Sequence, residues 1–151
     1  MSVEGASDFQ WPSAQAERLF RVFQAGKAGH AYVLNGPAGV GKRTLALLCA
    51  QTLFCRAETG RRPCGECPPC LRFAHGNHPD SFLLEAEGSL GVEAVRALSF
   101  ALQERAYEAG AKAVRILGAD RMTVQAQNAL LKTLEEPPGR TVFLLACEQS
   151  T

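Results

Sequence analysis

Apolar residues follow two alternating patterns along the chain, a repeat of three to four residues and short continuous runs. The repeat predicts helices with one face on a core, and short runs bounded by turn residues predict buried strands. The predicted helices cover a segment that begins after Ser13 and ends near residues 26–29, then residues 42–54, 92–109 and 124–134. The predicted strands cover residues 31–34, 81–85, 113–117 and 141–147.

Capping residues support two of these helices. Ser13 and Thr123 stand directly before apolar helical patterns, where a side-chain oxygen accepts a hydrogen bond from a free backbone N–H group. The helix after Thr123 is predicted to stop before Pro137 and Pro138, because proline cannot continue a helix.

The alternation of strands with helices predicts an α/β fold, with a parallel sheet and helices on both of its faces. A chain of 151 residues that is 46% hydrophobic can bury one core, so we expect a single domain. Ligands of such sheets bind at the carboxyl ends of the strands. The turn after the first strand is therefore the first place to look for a site.

That turn has the G-x-x-x-x-G-K spacing of a phosphate-binding loop. The residues that would form it are Gly36, Gly39, Gly41, Lys42, Arg43 and Thr44. Glycines let backbone N–H groups point at a phosphate chain, and the lysine reaches the terminal phosphates. Hydrolysis requires a Ser or Thr for Mg²⁺ where this chain has Arg43. We therefore expect ATP or ADP phosphates to be accepted without Mg²⁺-dependent hydrolysis, with a purely structural glycine turn as the alternative.

Four cysteines lie within sixteen residues of a turn-rich segment, residues 55–70. Cys55, Cys64, Cys67 and Cys70 supply the four soft ligands of a closed, structural Zn²⁺ site. Disulfides and free thiols are the alternatives. His75 and His78 are rival ligands, which we interpret as surface or packing residues.

Charge and hydropathy argue against binding through a global electrostatic field and against a membrane span. The 16 basic and 15 acidic residues give a net charge of +1, so no global field favours nucleic acid or an anionic membrane. Arg61 and Arg62 are interpreted as solvated loop residues, since two charges neutralise too few phosphates for tight binding. The N-terminus lacks a signal-peptide pattern, and no apolar run approaches the roughly 20 residues of a membrane span. We expect a cytoplasmic chain.

Three separated features resemble the N-terminal ATPase-type (AAA+) domain of bacterial DNA polymerase III clamp-loader subunits. They are the degenerate Walker A region, residues 30–44, the four-cysteine cluster, and residues 128–138, which read NALLKTLEEPP. Residues 78–80 and 90–96 look like the delta-prime branch. The resemblance implies a P-loop NTPase fold of the AAA+ type with an inserted zinc module at residues 55–70.

The same resemblance implies weak or absent hydrolysis. Counting back from Asn128 places Leu117 and Gly118 where the ATPase subunits carry an acidic pair at the end of the third strand. Neither residue can hold Mg²⁺ or polarise water. Asp120 could substitute only if the register slipped, and Cys147 stands where the ATPases carry a polar sensor residue. An ATP-hydrolysing gamma/tau-type subunit is the alternative.

The resemblance also implies partners and further domains. A delta-prime-like subunit works in a ring with gamma/tau and delta subunits, and through that complex with the sliding clamp and primed DNA in the bacterial nucleoid. Residues 1–151 would be its core domain, with the lid, the C-terminal collar and the Ser-Arg-Cys arginine-finger motif beyond Thr151. A stand-alone zinc-containing interaction module is the alternative of another class.

Overall fold

The computed structural model describes residues 13–36, 41–104, 106 and 110–148. Its elements in chain order are α1 (Ala14–Gln24), β1 (Ala31–Asn35), α2 (Lys42–Phe54), α3 (Pro68–Ala74), β2 (Ser81–Glu85), α4 (Val92–Ala101), β3 (Lys112–Leu117), α5 (Val124–Glu135) and β4 (Thr141–Cys147). A short 3-10 turn, Ala119–Arg121, lies between β3 and α5. Each predicted strand is present, and its ends lie within one residue of the expected positions.

The four strands described form one parallel sheet in the order β1-β4-β3-β2. The two central strands are buried along nearly their whole length, as expected when both faces of a parallel sheet are covered. All four carboxyl ends lie at the same edge. The described residues on either side of the turn after β1 therefore lie near the ends of β2, β3 and β4.

The helices cover both faces of the sheet, as predicted. Alternate residues of β4 point into two separate cores: Leu144 belongs to one and Phe143 to the other. The first core contains α1, α2 and α3, and its large buried members include Phe20, Phe23, Leu48, Phe54 and Phe73. The second contains α4 and α5, and its members include Val95, Leu98, Leu102, Ile116 and Leu130.

Both predicted caps are formed. The hydroxyl of Ser13 accepts a hydrogen bond from the N–H of Ala16 at 3.1 Å, and that of Thr123 accepts one from the N–H of Ala126 at 3.1 Å. The hydroxyls thus satisfy N–H groups that no helix carbonyl can reach.

The helix predicted at residues 92–109 is shorter than expected. It ends at Ala101, and Leu102 is its buried C-cap. The ammonium of Lys112, at the start of β3, donates hydrogen bonds to the carbonyls of Leu102 and Glu104. This buried cation satisfies carbonyls past the last helical turn. Residues 105 and 107–109 of the predicted helix lie outside the described residues.

Two other expectations fail. Strand β2 was predicted to be of the buried kind, but it lies at the sheet edge and Leu83 is exposed. Helix α3 was not predicted, because Pro68 and Pro69 at its start are typical of turns. Proline is in fact favoured in the first turn of a helix, where no intrahelical N–H bond is lost. None of the helices in the described parts of the chain has the length and apolar character needed to cross a membrane.

Candidate phosphate cleft and metal centre

The described ends of the turn between β1 and α2 lie at the carboxyl edge of the sheet, as expected of a phosphate-binding loop. Gly36 follows β1, and its N–H donates a hydrogen bond to the carbonyl of Cys147 at the end of β4, at 3.2 Å. Gly41 precedes α2 and has φ +90°, a conformation that a residue with a Cβ rarely adopts. Gly39 falls in residues 37–40, which lie outside the described residues.

Lys42 opens α2 and is half-buried. Its ammonium donates a hydrogen bond to the carbonyl of Gly36, the residue that starts the turn. The ammonium is therefore held by the residue at which the turn begins, whereas a phosphate-binding lysine would contact the phosphate. A phosphate would have to replace this contact.

Arg43 occupies the position where an NTPase would hold Mg²⁺ through a hydroxyl. Its guanidinium donates to both carboxylate oxygens of Glu85, the last residue of β2; Nη1 lies 3.2 Å from Oε1, and Nη2 contacts Oε2. The hydrogen bonds with Arg43 lower the pKa of Glu85, and those with Glu85 raise the pKa of Arg43. Glu85 is thus held as the counter-ion of a protein cation. Thr44, one residue later, is half-buried in the first turn of α2.

The end of β3 carries no carboxylate at the two positions where an acidic pair was considered. Leu117 is buried, and its carbonyl accepts a hydrogen bond from Ala86 at 3.0 Å. Gly118 has φ +80°, and a Cβ added to it would lie 3.1 Å from the Cβ of Ala86. An aspartate at this position would be strained in its backbone and crowded in its side chain.

Asp120, the substitute carboxylate considered from the sequence, is engaged elsewhere. It lies in the 3-10 turn beyond β3 and accepts a hydrogen bond from the N–H of Glu148 at 3.3 Å. Its neighbour Arg121 lies 4.0 Å from the carboxylate of Glu148. Asp120 therefore holds the end of β4 to the end of β3.

A cleft of about 460 Å³ lies between the start of α2 and the ends of β2, β3 and β4. Its charged lining consists of Lys42, Arg43, Arg121, Glu85 and Glu148. Three cations face two carboxylates, each of which lies beside an arginine. Such a lining suits an anion such as a phosphate better than a divalent cation.

A second cleft of about 480 Å³ shares Gly41 and Lys42 with the first. Its wall includes the apolar side chains Leu19, Leu34 and Leu45 together with Tyr32. A flat apolar group attached to a phosphate chain would find contacts here. Sequence reasoning missed Glu85 and Arg121. The available signal was their position at the carboxyl ends of strands, since Glu85 is the last residue of β2 and Arg121 lies in the turn that follows β3.

The four predicted metal ligands come together from different elements. Cys55 follows α2, Cys64 lies in the loop, Cys67 caps α3 and Cys70 is buried within α3. Their Sγ atoms all lie within 4.8 Å of one another, and those of Cys55 and Cys67 are 3.9 Å apart. A tetrahedron with Zn–S bonds of about 2.3 Å has sulfur atoms about 3.8 Å apart. The cluster could therefore hold a metal ion.

Backbone N–H groups point at two of the sulfurs. Ala57 and Cys64 donate to Sγ of Cys55 at 3.3 and 3.4 Å, and Glu66 and Cys67 donate to Sγ of Cys64 at 3.4 and 3.3 Å. Burial opposes ionisation of the Cys64 thiol, but these N–H groups outweigh it and lower the pKa to about 7. The loop is thus organised around thiolate charge.

Cys70 has the opposite electrostatic environment. Burial raises its pKa to about 12, and the side chain of Gln51 partly offsets this rise. A bound cation would supply the charge needed to ionise this thiol. None of the four cysteines forms a disulfide.

Contacts around the cluster explain the other residues singled out in this segment. The ring of His78 stacks on Phe54, with centroids 3.9 Å apart, whereas His75 is exposed. Arg62 donates from Nε to the carbonyl of Ala57 at 2.6 Å, and its own carbonyl accepts from Gln24 of α1 at 2.7 Å. Arg62 therefore braces the loop, while Arg61 is exposed.

Comparison with known proteins gives a consistent set of relatives. A family model described as "DNA polymerase III, delta subunit" matches residues 11–151. The chain is 47% identical to DNA polymerase III subunit delta' of Pseudomonas aeruginosa over 123 residues, which cover 80% of this chain and 38% of that protein. It is 40% identical to the delta' subunit of Yersinia pestis over 144 residues, 93% of this chain and 42% of that protein.

More distant similarities concern tau and gamma proteins. Identity to the tau subunit of Bacillus subtilis is 33% over 120 residues, 80% of this chain and 21% of that protein. A crystal structure of a gamma subunit-related protein from Thermotoga maritima matches with a TM-score of 0.65 and 27% identity, over 88% of this chain and 39% of that one. The chain spans about two-fifths of the length of the delta' relatives named above.

Proposed function

The chain belongs to the DNA polymerase III delta-subunit family, among relatives named delta', and from this premise we propose that it is the core domain of a clamp-loader subunit that does not hydrolyse ATP. Such a subunit acts in DNA replication by helping to place the sliding clamp on primed DNA. Its partners are the gamma/tau and delta subunits, and its contribution is a rigid surface offered to a neighbouring ATPase subunit.

The observation that carries the proposal is the ion pair between Arg43 and Glu85 in the phosphate cleft. A guanidinium lies where Mg²⁺ would be held, and it already binds a carboxylate of the cleft. Phosphoryl transfer depends on a metal that neutralises the developing charge and on a residue that orients water. Leu117 and Gly118 at the end of β3 supply neither.

The site residues proposed for the phosphate loop are Gly36, Gly39, Gly41, Lys42, Arg43 and Thr44. A nucleotide held here would contact Lys42 through its phosphates without Mg²⁺ bridging. The gamma/tau alternative requires a metal site that the described lining of the cleft does not supply. The tau subunit of Bacillus subtilis is 33% identical to this chain, against 40% and 47% for the two delta' subunits named above.

For the cysteine cluster we propose Zn²⁺. Four thiolates fill a tetrahedral coordination shell and leave no position for water or substrate, so the metal is structural. It ties the end of α2 to α3 through Cys55 and Cys70. Residues 55–70 then form a module inserted in an AAA+-type core domain, residues 1–151.

Calorimetry and turnover measurements test the nucleotide proposal. Titration with ADP, with and without Mg²⁺, is expected to give the same affinity in both buffers, and Lys42→Ala is expected to abolish any binding. ATP turnover should equal the buffer background. Mg²⁺-dependent turnover that disappears in Lys42→Ala would contradict the proposal.

A reconstitution experiment tests the partners. The subunit that contains this chain, mixed with purified gamma/tau and delta, is expected to elute with them from a sizing column and to support clamp loading on primed DNA. A chain that binds zinc but neither nucleotide nor these subunits would favour the stand-alone zinc module instead.

A further inference from the structure

A polar side chain without an evident partner lies beside the cysteine cluster. Gln51, in the last turns of α2, is fully buried at 0% exposure. Neither its Nε2 nor its Oε1 makes a hydrogen bond of ordinary geometry with a described residue. Buried carboxamides are nearly always hydrogen-bonded, so such a group needs an explanation.

Gln51 contacts two of the four cysteines. Its backbone carbonyl accepts the N–H of Cys55 at 3.0 Å, and its side chain faces the thiol of Cys70. The N–H groups of Ala57, Cys64, Glu66 and Cys67 point at the sulfurs of Cys55 and Cys64. At Cys70 the Gln51 side chain acts beside one backbone group, the N–H of Gly65.

We propose that Gln51 is a positioning residue of the metal centre, whose Nε2 donates a hydrogen bond to the Cys70 thiolate when the metal is bound. A neutral thiol is a weak acceptor, whereas a metal-bound thiolate is a strong one. The amide therefore gains a strong acceptor when the metal is bound. Groups of this kind fix the orientation of a ligand and tune its basicity.

This arrangement has opposite consequences for the two states of the protein. Without metal, the amide is buried beside a weak acceptor and does not stabilise the folded protein. With metal, the same amide stabilises the ligand. A side chain that served only packing would stabilise both states alike. The inference rests on the metal site proposed above and adds one residue to it.

The test uses Gln51→Met, which keeps the length and volume of the side chain and removes its donor. Zinc affinity is measured by competition with a chromophoric chelator, and thermal stability is measured with and without metal. We expect affinity to fall about tenfold, with the melting temperature of the metal-free protein unchanged or raised. Gln51→Glu, which replaces the donor by an acceptor, is expected to weaken affinity further.

Co²⁺ provides a spectroscopic measure of the same hydrogen bond. A donor to a thiolate stabilises the sulfur lone pair and raises the energy of its charge transfer to Co²⁺. The Co²⁺ form of Gln51→Met should therefore absorb at longer wavelength than the wild type. Thr52→Val is the matched control, because the Thr52 hydroxyl is buried in the same helix but donates to the carbonyl of Leu48 at 2.7 Å. It should leave affinity and spectrum unchanged.

The outcomes separate the two proposals. A wild-type chain that holds neither Zn²⁺ nor Co²⁺ overturns the metal site and this inference together. A wild type that binds metal, with unchanged affinity and spectrum in Gln51→Met, overturns this inference alone. Equal loss of stability with and without metal, or failure of Gln51→Met to fold, also overturns it, because either result assigns the side chain to packing.

Discussion

Removal of the metal should destabilise the whole domain and not only the loop that carries the cysteines. The cluster joins the end of α2 to α3, and next to it Phe54 and Phe73 pack in the first core with ring centroids 5.8 Å apart. Detachment of α3 exposes Phe73, which is 6% exposed in the folded chain. Exposure of one such side chain costs about 1.5 to 3 kcal/mol.

Mass action gives the stabilisation that the bound metal itself contributes. A ligand present at about 1,000 times its dissociation constant stabilises the folded state by about 4 kcal/mol. For 151 residues, an unfolding entropy of about 2.1 cal/mol/K per residue gives about 0.3 kcal/mol/K in total. The melting temperature should therefore fall by about 13 °C when zinc is removed.

Differential scanning calorimetry before and after chelation, with a metal assay on each sample, measures this shift. Cys70→Ser should abolish the response to zinc, whereas Cys147→Ser, which lies outside the cluster, should keep it. Added zinc should restore the wild-type transition. A metal-free sample that melts at the same temperature as the metal-bound one would refute the argument.

Three further predictions concern other parts of the chain. Arg43→Thr restores a hydroxyl but should give no Mg²⁺-dependent ATP turnover in a phosphate-release assay, because Leu117 and Gly118 still supply no carboxylate; turnover would contradict the assignment. Lys112→Met should lower the urea-unfolding free energy by about 2 kcal/mol, since the carbonyls of Leu102 and Glu104 lose a charged donor, whereas Lys132→Met on an exposed surface should change it by less than about 0.5 kcal/mol. Burial lowers the pKa of Lys112 in the folded chain. Between that lowered pKa and the ordinary value of about 10.4, the unfolded chain binds more protons than the folded chain, so the unfolding free energy of the wild type should rise with pH in this range. Lys112→Met should lack this rise. Thr123→Ala should cost about 1 kcal/mol in the same assay, because the N–H of Ala126 loses its acceptor.

Local patterns were sufficient for most of the fold. Apolar runs located the four strands, although only the two central ones, β3 and β4, are buried on both faces of the sheet. The caps at Ser13 and Thr123 could be predicted from the identity of the one residue before each helix. The four cysteines could be grouped because their spacing is short and their chemistry is specific.

What could not be predicted depends on residues far apart in the chain. Arg43 and Glu85 meet only because α2 starts and β2 ends at the same edge of the sheet. The end of α4 is set by Lys112, which reaches back from the following strand. Gln51 looks like an ordinary helix residue until α3 folds over it. In each case a tertiary contact decides an outcome that local propensity leaves open.

The strand order has a consequence for how the chain folds during synthesis. Strand β1 pairs only with β4 among the described strands, and the two partners are about 110 residues apart in the chain. At roughly 5 to 20 residues per second, β1 waits on the order of 5 to 20 seconds on the ribosome before its neighbour is made. The four cysteines lie within sixteen residues, so the metal-binding loop can close long before that. The nascent chain therefore acquires its smallest, metal-dependent unit early, while the edge of the sheet that supports the phosphate loop is completed last.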